Sequence, residues 1–196
     1  MIIVSHRINT SDALLKISNK YGVEIDIRSR DDKLILHHDP FCDGELLSDW
    51  LKNYKHKLLI LNVKEEGLEP QILSLMEKYS IDHFFFLDQS FPFIIKSLNA
   101  GEKRTAVRVS EFESIETAFK VAGNAQWVWV DCFTKFPINQ DEALRLKKNF
   151  KICIVSPELQ GRSNINEIIE LKNLLQEIDL EPDAICTKRS DIWEQG

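Results

Sequence analysis

Eight short runs of apolar, β-branched and aromatic residues recur along the 196-residue chain, at 2–5, 23–28, 57–64, 83–88, 105–109, 127–131, 151–156 and 183–187. The stretches between them carry apolar residues three and four apart, the period of a helix with one buried face. Leu14, Ile17 and Tyr21 form one stripe, Leu68, Ile72, Leu75, Met76 and Tyr79 a second, and Ile165, Ile168, Ile169 and Leu175 a third. Asn139 with Glu142, and Asn164 with Glu167, have capping-box spacing, and Pro182 follows the last long helix. Strands alternating with helices leave two architectures, a closed (β/α)8 barrel or a doubly wound open sheet. Runs such as KLLILNV and KICIV are apolar on both faces, as a helix-covered parallel sheet requires. The count of eight favours the compact TIM barrel, although ~200 residues is the lower end of its range. Lys33–His38, after the Asp31-Asp32 turn, reads as an extra hairpin strand. With no linker or shift in composition, residues 1–196 read as one domain.

Several functional classes lack their signals. Only 7 glycines occur and none forms GxGxxG or GxxxxGK[ST], which removes the phosphate-cradling loops of dinucleotide and nucleotide folds. GxSxG and HExxH are absent too. A net charge of −6 offers no basic footprint for nucleic acid. No apolar run approaches the ~20 residues of a membrane span. The opening MIIVSH has no leader pattern, and Cys42, Cys132, Cys153 and Cys186 are scattered without CxxC pairing. The expectation is a cytoplasmic protein with a small-molecule partner.

Polar residues recur at the ends of the strands, where parallel α/β sheets bind ligands. They are His6 and Arg7, Asn62 and Lys64, Asp88, Arg108 with Glu111, Asp131, Ser156 with Glu158, and Thr187 with Lys188. Within the second run, Glu24 and Asp26 share one face while Val23, Ile25 and Ile27 take the other. Two carboxylates converging in a poorly solvated mouth repel, and a hard cation such as Mg²⁺ or Ca²⁺ relieves the conflict. A buried ion network with Lys and Arg is the alternative. Asn62 and Lys64 repeat the spacing on the next strand. His6 and His38 suit an acid–base couple, whereas His37, His56 and His83 read as surface or structural. Of Trp127 and Trp129, one is expected inward, filling the barrel, and one outward.

The segments IIVSHR, VEIDIR, LILHHDP and LNVK, in that order over residues 2–64, resemble the glycerophosphodiester phosphodiesterase family, a family of (β/α)8 barrels. The resemblance implies metal-assisted cleavage of a glycerophosphodiester-like substrate. Under it, His6 and His38 become the acid–base pair, Glu24, Asp26 and Asn62 ligands of Mg²⁺ or Ca²⁺, and Arg7 and Lys64 phosphate-facing cations. Arg108, Glu158 and Lys188 are further substrate-facing candidates.

Four departures from the family pattern stand out. Ile8 replaces the glycine after His-Arg, so this loop is expected to follow another path. Asn62 replaces a carboxylate. Only 22 residues lie between Asp39 and Asn62, where the family carries an insertion, and Thr187-Lys188 replaces Thr-Asp. The expectations are an open mouth, a weakly held cation and a changed head group, with extra positive charge from Arg108, Lys135 and Arg162. A barrel that binds a phosphorylated ligand or partner without cleaving it, and cleavage without a metal, are the competing readings.

Overall fold

The computed structural model describes residues 1–194. Every one of the eight runs is a strand: β1 (Ile2–Ser5), β2 (Gly22–Arg30), β5 (Leu59–Val63), β6 (Phe84–Leu87), β7 (Ala106–Val109), β8 (Trp127–Val130), β9 (Lys151–Val155) and β10 (Ala184–Thr187). The hairpin strand is present as β3 (Lys33–Leu36), antiparallel to β2. A two-residue strand that the sequence did not announce, β4 (Glu45–Leu46), lies along β3.

Parallel pairing runs from β1 through β2 and β5 to β6 in one direction, and from β1 through β10, β9 and β8 to β7 in the other. The two ends meet through a bridge between Phe86 and Thr105, and the Phe86 N–H donates to the Arg104 carbonyl at 2.8 Å. The eight strands thus ring a barrel in chain order, with its thinnest pairing at the β6–β7 seam. The open-sheet alternative is set aside.

Alternation along each strand separates two cores. Val4, Ile60, Phe85, Leu87, Ala106, Trp127, Trp129, Cys153, Val155, Ala184 and Cys186 fill the interior. The intervening residues, among them Val23, Ile25, Leu59, Leu61, Val128 and Ile152, meet the helices outside. Both tryptophans belong to the inner cluster, which corrects the expectation of one inward and one outward. Residues i and i+2 of a strand share a face, so Trp127 stacks on Phe85 with ring centroids 4.5 Å apart while Val128 takes the outer side.

The helices are α1 (Ser11–Leu14), α2 (Leu47–Trp50), α3 (Glu69–Lys78), α4 (Phe91–Asn99), α5 (Ile115–Phe119), α6 (Gln140–Lys147), α7 (Ile165–Glu177) and α8 (Ser190–Trp193). Local chemistry sets their starts. Thr10 caps α1 through Ala13 N, and Pro70 in α3 and Pro92 in α4 occupy first-turn positions where no amide hydrogen is needed. The Asn139–Glu142 capping box is complete. The second is not: Asn164 accepts from Asn166 N, and Glu167 turns instead to Arg162. The first stripe also ends early, because α1 is a single turn that stops before Ile17 and Tyr21. The short stretch between Asp39 and Asn62 holds β4, α2 and a 3-10 turn at Leu51–Asn53. Gly44 makes this possible, since a Cβ there would lie 2.4 Å from the Leu36 carbonyl oxygen. Among the described residues, no helix is long and apolar enough to cross a membrane.

Candidate active site

The C-terminal mouth of the barrel gathers most of the polar residues picked out from the sequence. The β2–β5 register sets Asp26 beside Asn62, and both Glu24 and Asp26 lie inside at 0% exposure. Glu24 Oε1 accepts from Asn62 Nδ2 at 3.0 Å, and Oε2 from the Arg7 N–H at 2.8 Å. Asp26 Oδ2 accepts from Asn9 Nδ2 at 2.8 Å, while Asn9 Oδ1 accepts the Asp26 N–H at 2.9 Å. Lys64 Nζ stands 3.2 Å from Asp26 Oδ1, which receives no directed hydrogen bond. Arg7 Nε lies 3.8 Å from Asp26 Oδ2. Asn9 was not legible as a site residue, because nothing in its spacing links it to Asp26.

Burial and the neighbouring Asp26 push the Glu24 carboxyl up to about 7, against the opposing pull of the Arg7 N–H, Asn62 and Lys64. His6 moves the other way. Its Nε2 lies 3.8 Å from Glu24 Oε2, and burial together with Arg7, Lys188 and Lys64 lowers it to about 4, Asp26 opposing. The ring is therefore neutral at neutral pH, with a buried Nδ1 that has no partner. In the loop after β1, Arg7, at φ 56, adopts the left-handed conformation, and Ile8 joins the outer core with its N–H on the Glu24 carbonyl at 2.8 Å.

His38 stands at the end of the hairpin, level with Asp26, whose carbonyl accepts the His37 N–H at 3.1 Å. Arg28 pins the His38 carbonyl with Nε and Nη2 at 3.0 and 2.9 Å. The ring bonds Asp39 Oδ1 through Nδ1 at 2.8 Å and lines an open groove of about 630 Å³ with Asn9, Asp39 and Glu45. His6 thus stands against Glu24, whereas the His38 ring turns to Asp39 and the groove. It is linked to the carboxylates through the backbone pairing of its neighbour His37 with Asp26 and through Asn9, with which it shares the groove. His37 bonds Asp39, His56 the Ile17 carbonyl and His83 the Lys57 carbonyl, all outside the cluster.

Across the mouth a second cluster centres on Arg108, which donates to Asp88 and Asp131 and lies 3.8 Å from Glu113. Burial pulls this guanidinium down, but the three carboxylates outweigh it and hold it above its ordinary value. Asp131 also accepts from Gln160 and from Trp129 Nε1, yet burial keeps its carboxyl raised. Glu158 uses its oxygens within the chain, accepting from Ser156 Oγ, Thr187 Oγ1 and the Lys188 N–H. It holds the β9 and β10 ends together. Lys188 is exposed and acts on His6 through its charge. The Arg162 guanidinium is drawn to Glu167, and Lys135 meets Glu111 through its backbone N–H.

Among the described residues, no three His, Cys, Asp or Glu side chains converge as metal ligands. What remains is two carboxylates and one amide. Among the described residues, Asn62 Oδ1 is a buried oxygen without a hydrogen-bond donor, and Asp26 Oδ1 is a buried oxygen that meets only the Lys64 ammonium; both are the type of ligand that Mg²⁺ or Ca²⁺ takes. The donor set fits a hard cation in kind and is one carboxylate short in charge.

No protein-family model and no curated protein sequence matches the chain. Solved structures do. A glycerophosphoryl diester phosphodiesterase from Parabacteroides distasonis superposes with a TM-score of 0.67 at 12% identity, covering 98% of this chain and 85% of that one. A glycerophosphodiester phosphodiesterase from Agrobacterium tumefaciens gives 0.60 at 17%, covering 98% and 97%. A tryptophan synthase α-subunit from Pyrococcus furiosus gives 0.55 at 14%, covering 100% and 90%. The likeness expected from residues 2–64 thus extends over nearly the whole chain as a shared fold: a (β/α)8 barrel of the kind that glycerophosphodiester phosphodiesterases use.

Proposed function

We propose that this barrel is a phosphodiesterase acting on a small glycerophosphodiester-like substrate, with His6 and His38 as its acid–base pair. The observation that carries the reading is the grouping of His6, Arg7, Glu24, Asp26, Asn62 and Lys64 at one mouth of a fold shared with such enzymes. Neutral His6 takes the proton of the attacking hydroxyl at an imidazole nitrogen. His38, oriented through Nδ1 by Asp39, presents Nε2 to the departing alkoxide. Arg7 and Lys64 stabilise the charge that grows on the phosphoryl oxygens.

Glu24, Asp26 and Asn62 would hold a divalent cation, which when bound draws electron density from a nonbridging phosphate oxygen. The Asn9 amide keeps Asp26 oriented throughout. Turnover of a phosphodiester panel, with and without chelator, tests the reading, and cleavage untouched by chelator would move it to the metal-free version. Asn62 favours one other reading, a barrel that binds a phosphorylated ligand without cleaving it. Calorimetry separates the two: tight diester binding with no turnover, and no uptake of Mg²⁺ or Ca²⁺ at millimolar levels, supports the binder.

A further inference from the structure

We propose that Lys64 and Arg108 form an anion subsite in the mouth and that Asp88 is its resident occupant, displaced when an anionic group of the substrate arrives. Each cation has a buried carboxylate of its own. Lys64 Nζ lies 3.2 Å from Asp26 Oδ1, and Arg108 Nη1 donates to Asp131 Oδ2. Both also reach Asp88: Lys64 Nζ lies 3.5 Å from Oδ2, and Arg108 Nη2 donates to Oδ1. One carboxylate therefore spans two cations with an oxygen for each, the arrangement a phosphate or a second carboxylate would adopt.

The three acids differ in their freedom to leave. Asp26 and Asp131 are 0% exposed and belong to the wall of the barrel. Asp88 is exposed, follows the end of β6, and has the left-handed backbone (φ 63) that Asp tolerates. It borders a crevice of about 660 Å³ at the β6–β7 seam, lined also by Arg108, Phe91, Phe112, Glu113 and Thr117, and with 26% of its side chain exposed it can turn out to solvent at the mouth. Glu113, 3.8 Å from Arg108 Nε, adds negative charge to that crevice, so an incoming anion is favoured between the two cations and not beyond them.

A tethered carboxylate competes at high effective concentration, so an outside anion sees only the fraction of molecules in which Asp88 has swung away. The subsite rests on these contacts alone. Naming its ligand rests on the phosphodiesterase reading, and the class is then a phosphodiester carrying a second anionic group on its head group.

The test is calorimetric titration of inorganic phosphate into the full chain, its Asp88→Asn variant and the Asp88→Asn/Arg108→Gln double variant. Asn keeps both the size and the left-handed backbone. The expected result is binding about tenfold tighter in Asp88→Asn, reproduced by Asp88→Gly, with the gain lost in the double variant. Phosphate binding no tighter in either single variant, or a gain that survives loss of Arg108, overturns the subsite. In a diester panel, Asp88→Asn should raise kcat/KM for anionic head groups over neutral ones, and an equal change in both removes the substrate assignment. A chain that gains phosphate affinity but cleaves no diester keeps the subsite and loses the phosphodiesterase reading. Cleavage without the gain does the reverse.

Discussion

On the β1–β2–β5 side of the mouth, Glu24, Asp26 and Asn62 crowd oxygens together; among the described residues His6 Nδ1 and Asn62 Oδ1 have no hydrogen-bond partner, and Asp26 Oδ1 meets only the Lys64 ammonium at 3.2 Å. On the β6–β8 side, Asp88, Arg108 and Asp131 satisfy one another, with Gln160 and Trp129 closing the remaining valences. An unmade hydrogen bond on a buried polar group costs about 1–3 kcal/mol. Two in one place destabilise the fold, which is tolerable where a ligand supplies what is missing. The first side keeps unpaired polar atoms that, under the proposed function, would meet a ligand arriving from outside. The second is arranged to hold charge in position.

The largest effect that can break this contrast is on catalysis. Replacing both His6 and His38 by Ala should lower kcat toward diesters by at least about 10⁴, since each general acid or base contributes about 10²–10⁴. Undiminished turnover by the double variant would end their assignment. The counterpart on the other side is Asp131→Ala, which leaves Arg108 without its buried partner and should cost about 3 kcal/mol of stability in urea unfolding. An unchanged midpoint would show that this side is not held by its ion pairs.

A third prediction concerns pH, measured by chemical denaturation between pH 4 and 8 in chelator. Glu24, at about 7 when folded, keeps a proton that the unfolded chain loses near 4.5. Its contribution to stability is complete below pH 4.5 and is lost as pH rises to 7. His6, at about 4 when folded, contributes oppositely, so stability is lost as pH falls from 6.5 toward 4. Glu24→Gln should remove the first slope and keep the second, becoming more stable than wild type above pH 7 by roughly 1–3 kcal/mol. A difference that does not vary with pH would mean that Glu24 is not the titrating group.

The smallest effect lies at the rim. Glu111 accepts the N–H groups of Phe133, Thr134 and Lys135; against burial, which raises it, those of Lys135 and Thr134, with its own N–H and the Thr134 hydroxyl, hold its carboxyl at about 2. Glu111→Gln should cost about 1 kcal/mol and leave diester turnover unchanged. A loss of turnover would extend the chemical side of the mouth across to β7 and β8.

Much of the first side was legible in the sequence because its information is local. Glu24 and Asp26 are two residues apart on a strand whose other face is Val23, Ile25 and Ile27, so one parity rule places both acids inside. Period-two reasoning, properly applied, also puts both tryptophans inside. On the second side the residues were picked out one by one as strand-end candidates, but their pairing with one another was not legible. Arg108 meets Asp88 and Asp131 across 20 and 23 residues of chain, and only the closure of β6 onto β7 and the β7–β8 register bring them together. Asn9 and Glu158 are similar cases, their partners being set by where loops land.

The sequence by itself determined the eight barrel strands, the inward face of β2 and the absence of nucleotide-binding loops, because these follow from periodicity and backbone chemistry within a few residues. Tertiary structure alone decided that the ring closes, that Asn62 donates to Glu24 while its oxygen stays unpaired, and that Asp88 joins Lys64 to Arg108. Those outcomes depend on register between strands and on desolvation, which depend on how distant segments pack.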